Sequence, residues 1–254
     1  MGYTFQPLNR MDDWTEWASD RPWIPVLTVC LYLVFVGGKY FLRYAKREGW
    51  RFDFTPFIPK LYSDLPVRKI WYGWNFAWGV FNLIASVHVF AVLKRTVREE
   101  GFRYTVCEYG WYTYDPQAFW FVLAFLCGKF AELFDTLVVT PVGKAHWLYR
   151  TVLLVGTWTL FVLDEPLALW LIAFGYTVHG FKYLSYTVSY RYKFLVEGLA
   201  LGLHLGQIVA GLLLSLSAAY YLYTATEETP CDTEWSHLGV LLAGYLWTVK
   251  IILT

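Results

Sequence analysis

Charge is scarce in this sequence. Only 16% of its 254 residues are Asp, Glu, Lys or Arg, whereas soluble globular domains carry about 25%. Set against 57% hydrophobic and 21% aromatic residues, that shortage excludes one soluble domain, a disordered chain and a two-domain cytosolic enzyme. Neither sign predominates: 21 Lys+Arg against 20 Asp+Glu leave a net charge of +1, so no basic field draws nucleic acid. There are only four cysteines. Internal repeats and low-complexity tracts are absent. No cleavable leader is visible, because residues 1–23 are polar and contain Asp12, Asp13, Glu16 and Asp20, a pattern unlike a signal or transit peptide. The closing Lys250-Ile-Ile-Leu-Thr254 carries no dilysine or KDEL-like address.

What the chain has instead is long apolar runs. Seven spans of about 20 residues would use about 140 positions, and the chain has room for them. Runs bounded by charge predict spans at 24–42, 71–93, 117–140, 145–163, 166–187, 195–223 and 236–254,. The expected class is an all-α integral membrane protein: a polar, Trp-rich interfacial arm over 1–23, then a membrane domain over 24–254. Trp14, Trp17 and Trp23 suit a segment lying along the headgroups.

Loop charge sets the orientation. Residues 43–69 hold Arg43, Lys46, Arg47, Arg51, Lys60, Arg68 and Lys69. The opposite face includes the loops 164–166 and 224–235, which hold Asp164, Glu165, Glu227, Glu228, Asp232 and Glu234 without Lys or Arg, and the loop 94–116, which is mixed in charge. The N-terminus is therefore expected on the non-cytoplasmic or non-matrix side. Cys107 and Cys231 then share that face, where an oxidising compartment would join them; two free loop thiols are the alternative. Cys30 and Cys127 read as core residues within spans.

Ionisable residues inside spans carry the functional signal, since each costs at least about 2.5–3.5 kcal/mol to insert. Lys129, Glu132 and Asp135 recur at i, i+3 and i+6 on one helix side, followed by Thr136. His146 and Arg150 are i, i+4; His179 and Lys182 are i, i+3, with Tyr183 and Tyr186 beyond them; His204 and Gln207 repeat the spacing. Four successive spans thus turn polar groups inward near the same membrane face. They form either a reaction chamber or a network that merely cross-links helices. A metal site is disfavoured, because His146, His179 and His204 lie on separate helices without a carboxylate-bridged bundle pattern.

Lys129-Phe-Ala-Glu132-Leu-Phe-Asp135-Thr136 matches the KxxExxDT motif and resembles the ELO family of very-long-chain fatty acid elongases. Leu65-Pro66-Val67-Arg68 with Trp74-Asn75, and Thr105-Val106-Cys107-Glu108, resemble family segments before and within neighbouring spans. His179 to Tyr186 resembles the HxxMYxYY box, and His204 to Ala210 the TxxQxxQ box. The resemblance implies seven spans, six of them surrounding a closed-ended tunnel for acyl-CoA. It also implies condensation with malonyl-CoA, with loss of carbon dioxide, through an acyl-imidazole on the second histidine of an HxxHH box.

That box departs from the family pattern. Its counterpart is His146-Trp147-Leu148-Tyr149-Arg150, with a phenol for the nucleophile and a guanidinium for the third histidine. A phenol is neutral at pH 7 and a guanidinium cannot serve as a base. Lys182 stands for the box methionine, Ser185 for a tyrosine, His204 for the threonine and Ala210 for the last glutamine. The expected function is an ELO-fold pseudoenzyme, with no catalytic residue and no cofactor or metal. It would act as an accessory subunit of a larger membrane assembly, holding a lipid or acyl chain in the former tunnel. Its expected partners are lipids and other membrane subunits, in the mitochondrial inner membrane, for example in a respiratory complex. The alternative is an active 3-ketoacyl-CoA synthase of the endoplasmic reticulum, using acyl-CoA and malonyl-CoA through Tyr149, His146 or His179. Transport ranks last, because no inverted repeat is visible.

Overall fold

A computed structural model describes residues 11–47, 65–138, 144–187 and 190–253. These residues are helical throughout apart from short connections, with no strand among them. The helices are α1 (Met11–Ser19), α2 (Trp23–Arg47), α3 (Leu65–Glu99), α4 (Phe102–Cys107), α5 (Pro116–Val138), α6 (Lys144–Val162), α7 (Ala168–Ser185), α8 (Tyr190–Tyr223) and α9 (Trp235–Leu253), with a single 3₁₀ turn at Trp111–Thr113. Two stretches, Lys69–Glu99 and Leu201–Tyr223, are long and apolar enough to cross a membrane. Three predicted spans are parts of longer helices: 24–42 lies within α2, 71–93 within α3, and 195–223 within α8, whose end it shares. Charged turns at their ends continue the helical hydrogen bonding past the apolar run.

Packing arranges these helices around a centre. α3 packs along α7, α7 along α8, α8 along α9, α9 against α6, α6 along α5, and α5 against α3. These contacts close a ring. α2 lies outside it, against α5 and α6, and α1 crosses to touch α6. Outward side chains such as Val34, Val87 and Leu216 are exposed and apolar, as a lipid-facing surface requires. The inner faces bury Ala85, Val89, Phe119, Val122, Ile172 and Tyr176.

The α3–α7 seam depends on small residues. A methyl group added at Gly180 would lie 2.6 Å from Leu83 Cδ2 and 3.2 Å from its backbone nitrogen. One added at Gly79 would meet Leu184 Cδ2 at 2.9 Å and its backbone nitrogen at 3.1 Å. Glycine here lets two backbones approach closely where lipid offers no hydrophobic drive between helices. Ser86 and Thr177 hydroxyls add a 2.6 Å hydrogen bond across the same seam.

Local chemistry explains where the chain turns. Asp115 caps α5: its Oδ1 accepts from the backbone N–H groups of Gln117 (2.8 Å) and Ala118 (3.1 Å). Pro116 supplies the first helical position without needing a partner for its nitrogen. Arg95, near the end of α3, pairs with the other oxygen of Asp115. The α6–α7 connection passes through Asp164 at φ 47°. Its carbonyl accepts the N–H of Gly110 at 3.0 Å, and Gly110 is itself left-handed at φ 61°.

One end of the ring is closed by interlocked connections. Cys107 and Cys231 form a disulfide. Beside it, Asp232 N–H donates to the Cys107 carbonyl at 2.9 Å, and Thr233 Oγ1 donates to the Val106 carbonyl at 2.9 Å. Trp111 Nε1 bridges the carbonyls of Thr105 and Pro166, each at 3.2 Å. Arg103 donates to the carbonyls of Thr229 and Pro230. Cys30 and Cys127, expected in the core, are exposed instead. Each sits on the outward side of its helix, where a small thiol borders lipid at little cost.

Candidate functional site

The helical period sets the site. Lys129 and Glu132 are one turn apart on α5 and both are buried, so their charges meet inside the ring. Lys129 Nζ donates to Glu132 Oε1 at 2.8 Å. His179, on α7, completes the cluster: its Nε2 lies 2.7 Å from Lys129 Nζ, and its Nδ1 lies 3.3 Å from Glu132 Oε1. An ammonium can only donate, so Nε2 is the acceptor and the ring proton belongs on Nδ1, facing the carboxylate. The lone pair that would attack a thioester or take a proton is already engaged. Lys129 Nζ also lies 4.3 Å from the centre of the Phe125 ring, which adds an attraction for the cation.

α6 contributes Arg150, buried, whose Nη1 donates to the main-chain carbonyl of Glu132. That bond ties α6 to α5 through the backbone. Lys182, one turn beyond His179, interacts electrostatically with Arg150, Glu132 and Lys129. On α8, His204 interacts with Lys182 and Lys129, and Gln207 is partly buried one turn further on. Aromatic rings line the α7 side: His179 to Tyr183 at 6.2 Å, Tyr183 to Tyr186 at 6.2 Å, and Tyr186 to Trp71 at 6.0 Å. Lys129, Glu132, Arg150, His179, Lys182 and His204 therefore come together from α5, α6, α7 and α8. The side chains of Asp135, Thr136, His146 and Tyr149 lie outside the described residues. Among the described residues, no group of three His, Cys, Asp or Glu is placed to hold a metal ion.

The profile of the GNS1/SUR4 (ELO) family matches residues 17–252. The chain belongs to the ELO family. It is 25% identical to "Fatty acid elongase 1" of Trypanosoma cruzi, over 85% of this chain and 78% of that protein. It is 20% identical to human "Very long chain fatty acid elongase 6", over 93% of this chain and 84% of the relative. A third relative, "Fatty acid elongase 2" of Trypanosoma brucei brucei, is 26% identical over 71% of this chain and 70% of its own length. No solved structure gives a significant match. Within this ELO chain the intact KxxExxDT motif is the segment of α5 that carries the Lys129–Glu132 pair.

One partly buried pair is not legible in the sequence. Glu165, in the α6–α7 connection, is only 1% exposed, and its Oε2 lies 2.7 Å from His237 Nδ1 at the start of α9. Burial pushes the Glu165 carboxyl above its usual value, against the opposing pull of His237. A lone loop carboxylate beside proline reads as solvated. The tight Asp164-Glu165-Pro166 hairpin, which leaves Glu165 no route to water, was the available clue.

Proposed function

We propose that this chain is an ELO-fold pseudoenzyme that retains the family's buried polar network without its acyl-transfer chemistry. Its seven spans would hold a lipid or acyl chain in the central chamber, and it would pack as an accessory subunit in a larger membrane assembly. The observation that carries this reading is the fate of the imidazoles. On the family resemblance, Tyr149 and Arg150 take the places of the second and third histidines of the HxxHH box, and Arg150 is bonded to the Glu132 backbone. The surviving His179 has its Nε2 occupied by Lys129. Covalent catalysis needs a nucleophile with a free pair and a base beside it; here a phenol stands beside a permanent cation.

The second reading is an active 3-ketoacyl-CoA synthase condensing acyl-CoA with malonyl-CoA. It is favoured by the intact Lys129–Glu132–His179 cluster and by relatives named as elongases. The test is incubation of purified full-length protein with acyl-CoA and radiolabelled malonyl-CoA. No labelled 3-oxoacyl product is expected. Product that disappears in Tyr149→Phe or His179→Ala would establish the second reading.

The assembly role is tested by native isolation, which is expected to yield further membrane chains in fixed ratio; a lone chain would remove it. The proposed location is the mitochondrial inner membrane, and the enzymatic reading places the chain in the endoplasmic reticulum instead. Co-fractionation with markers of each membrane separates them.

A further inference from the structure

At the closed end of the ring one carboxyl is enclosed with only half of its bonding met. Glu165 Oε2 lies 2.7 Å from Nδ1 of His237, while its Oε1 is buried without a hydrogen-bond partner among the described residues. The His237 ring stands between two carboxylates, because its Nε2 lies 3.8 Å from Oε2 of Glu234. Only a protonated ring can donate from both nitrogens at once. Among the described residues, Glu165 has no Lys or Arg as an ion partner. The other titratable groups facing the pair are acids and phenols: Asp164 in the α6–α7 connection, Glu234 before α9, and Tyr109 and Tyr112 between α4 and α5. Asp232 stands beyond Tyr109, accepting its backbone N–H at 3.4 Å. From α8 and the start of α7 come Leu214, Ala218 and Leu167, which pack with Leu238 and do not titrate.

An ionised carboxylate in such a place is costly unless a cation stays beside it. While Glu165 and His237 keep one proton between them, that condition is met and their hydrogen bond is charge-assisted. When the proton leaves, the carboxylate keeps its charge with one oxygen unbonded, and water is the replacement available. Hydrating Oε1 requires the enclosing chain to move. The strap before α9 cannot follow, because the Cys107–Cys231 disulfide and the hydrogen bonds of Asp232 and Thr233 hold it to α4. We propose that the proton shared by Glu165 and His237 latches the head of α9 to the α6–α7 connection, and that its loss unlatches α9 about the anchored strap. α9 closes the ring by touching both α6 and α8, so unlatching loosens the α6–α9 seam at this end. The latch works alike in a pseudoenzyme and in an active elongase.

The test is hydrogen exchange of the full-length protein in neutral detergent at about pH 5.5 and about pH 8.5, which bracket the range where imidazoles change charge. Each rate is divided by the intrinsic exchange rate at its pH. The reporting amides are Ala168, bonded to the Glu165 carbonyl, and His237 and Leu238, bonded to the Glu234 carbonyl. Corrected exchange of the peptides that contain them is expected to be about tenfold faster at the higher pH, as loss of a charge-assisted hydrogen bond implies. Peptides around Gly180 in the α3–α7 seam are expected to show no such step. Glu165→Gln cannot become a buried anion and should lose the step. His237→Arg supplies a cation that keeps its charge at both pH values; it should also lose the step, and it keeps the test alive if Glu165→Gln fails to fold. Equal corrected rates in the wild type, a step that survives in either variant, or an equal step around Gly180 overturns the latch.

Discussion

Lys129 Nζ lies 2.7 Å from Nε2 of His179, on another helix and 50 residues along the chain. Because the same ammonium also donates to Glu132, one cation joins α5 to α7 and fixes the orientation of the imidazole. Lys129→Met should leave Glu132 buried without its ammonium, and breaking such pairs costs about 3–5 kcal/mol. The expected result is a large fall in thermal unfolding temperature in detergent. A Lys129→Met, Glu132→Gln double variant should recover part of the loss.

The α3–α7 seam makes a separate prediction. Gly180→Ala forces its new methyl against Leu83 side chain and backbone, and overpacking of this kind costs about 1–3 kcal/mol. Gly37→Ala, where nothing lies within 4 Å, should cost nothing measurable. Comparing the two unfolding temperatures checks that close backbone approach, rather than helix propensity, is the cause.

Removing the disulfide tests the closed end of the ring. Cys107 and Cys231 enclose 124 residues of sequence separation, and a bridge across so long a loop contributes about 2–5 kcal/mol by restricting the unfolded chain. Cys107→Ser should lower the unfolding temperature. Reductant should do the same to the wild type and have no effect on the variant. Proteolysis between the two cysteines should leave fragments joined on a non-reducing gel.

Glu165 predicts a pH slope. Burial raises its folded carboxyl value above the usual 4.5, so the folded state holds the proton more tightly than the unfolded chain. That contribution is complete below about 4.5 and is lost as pH rises through the raised value. Unfolding temperature measured across this window should fall with pH more steeply in wild type than in Glu165→Gln, which cannot titrate. Identical slopes would show that Glu165 is not the source.

The sequence disclosed these features unevenly. Apolar runs locate α2, α3 and α5 to α9 because lipid tolerates little else, but they do not mark the ends. α3 continues to Glu99 because its charged last turn has left the apolar layer. The Lys129–Glu132 contact follows from an i, i+3 spacing on one helix. Its link to His179 does not, because nothing along the chain says which helices are neighbours; only the order of the family boxes suggested it. Glu165 and His237 were missed for the same reason, being 72 residues apart. Cys127 read as a core residue because it sits within a span, yet the helix turns its thiol outward.

The most direct test of the pseudoenzyme reading is intact-protein mass spectrometry after incubation with a long-chain acyl-CoA and no malonyl-CoA. Under those conditions a condensing enzyme of this family would stall with the acyl group on its nucleophile. The expected spectrum contains the unmodified chain alone. A peak heavier by one acyl group, mapped to Tyr149, His146 or His179 and absent from the matching variant, would contradict the pseudoenzyme reading.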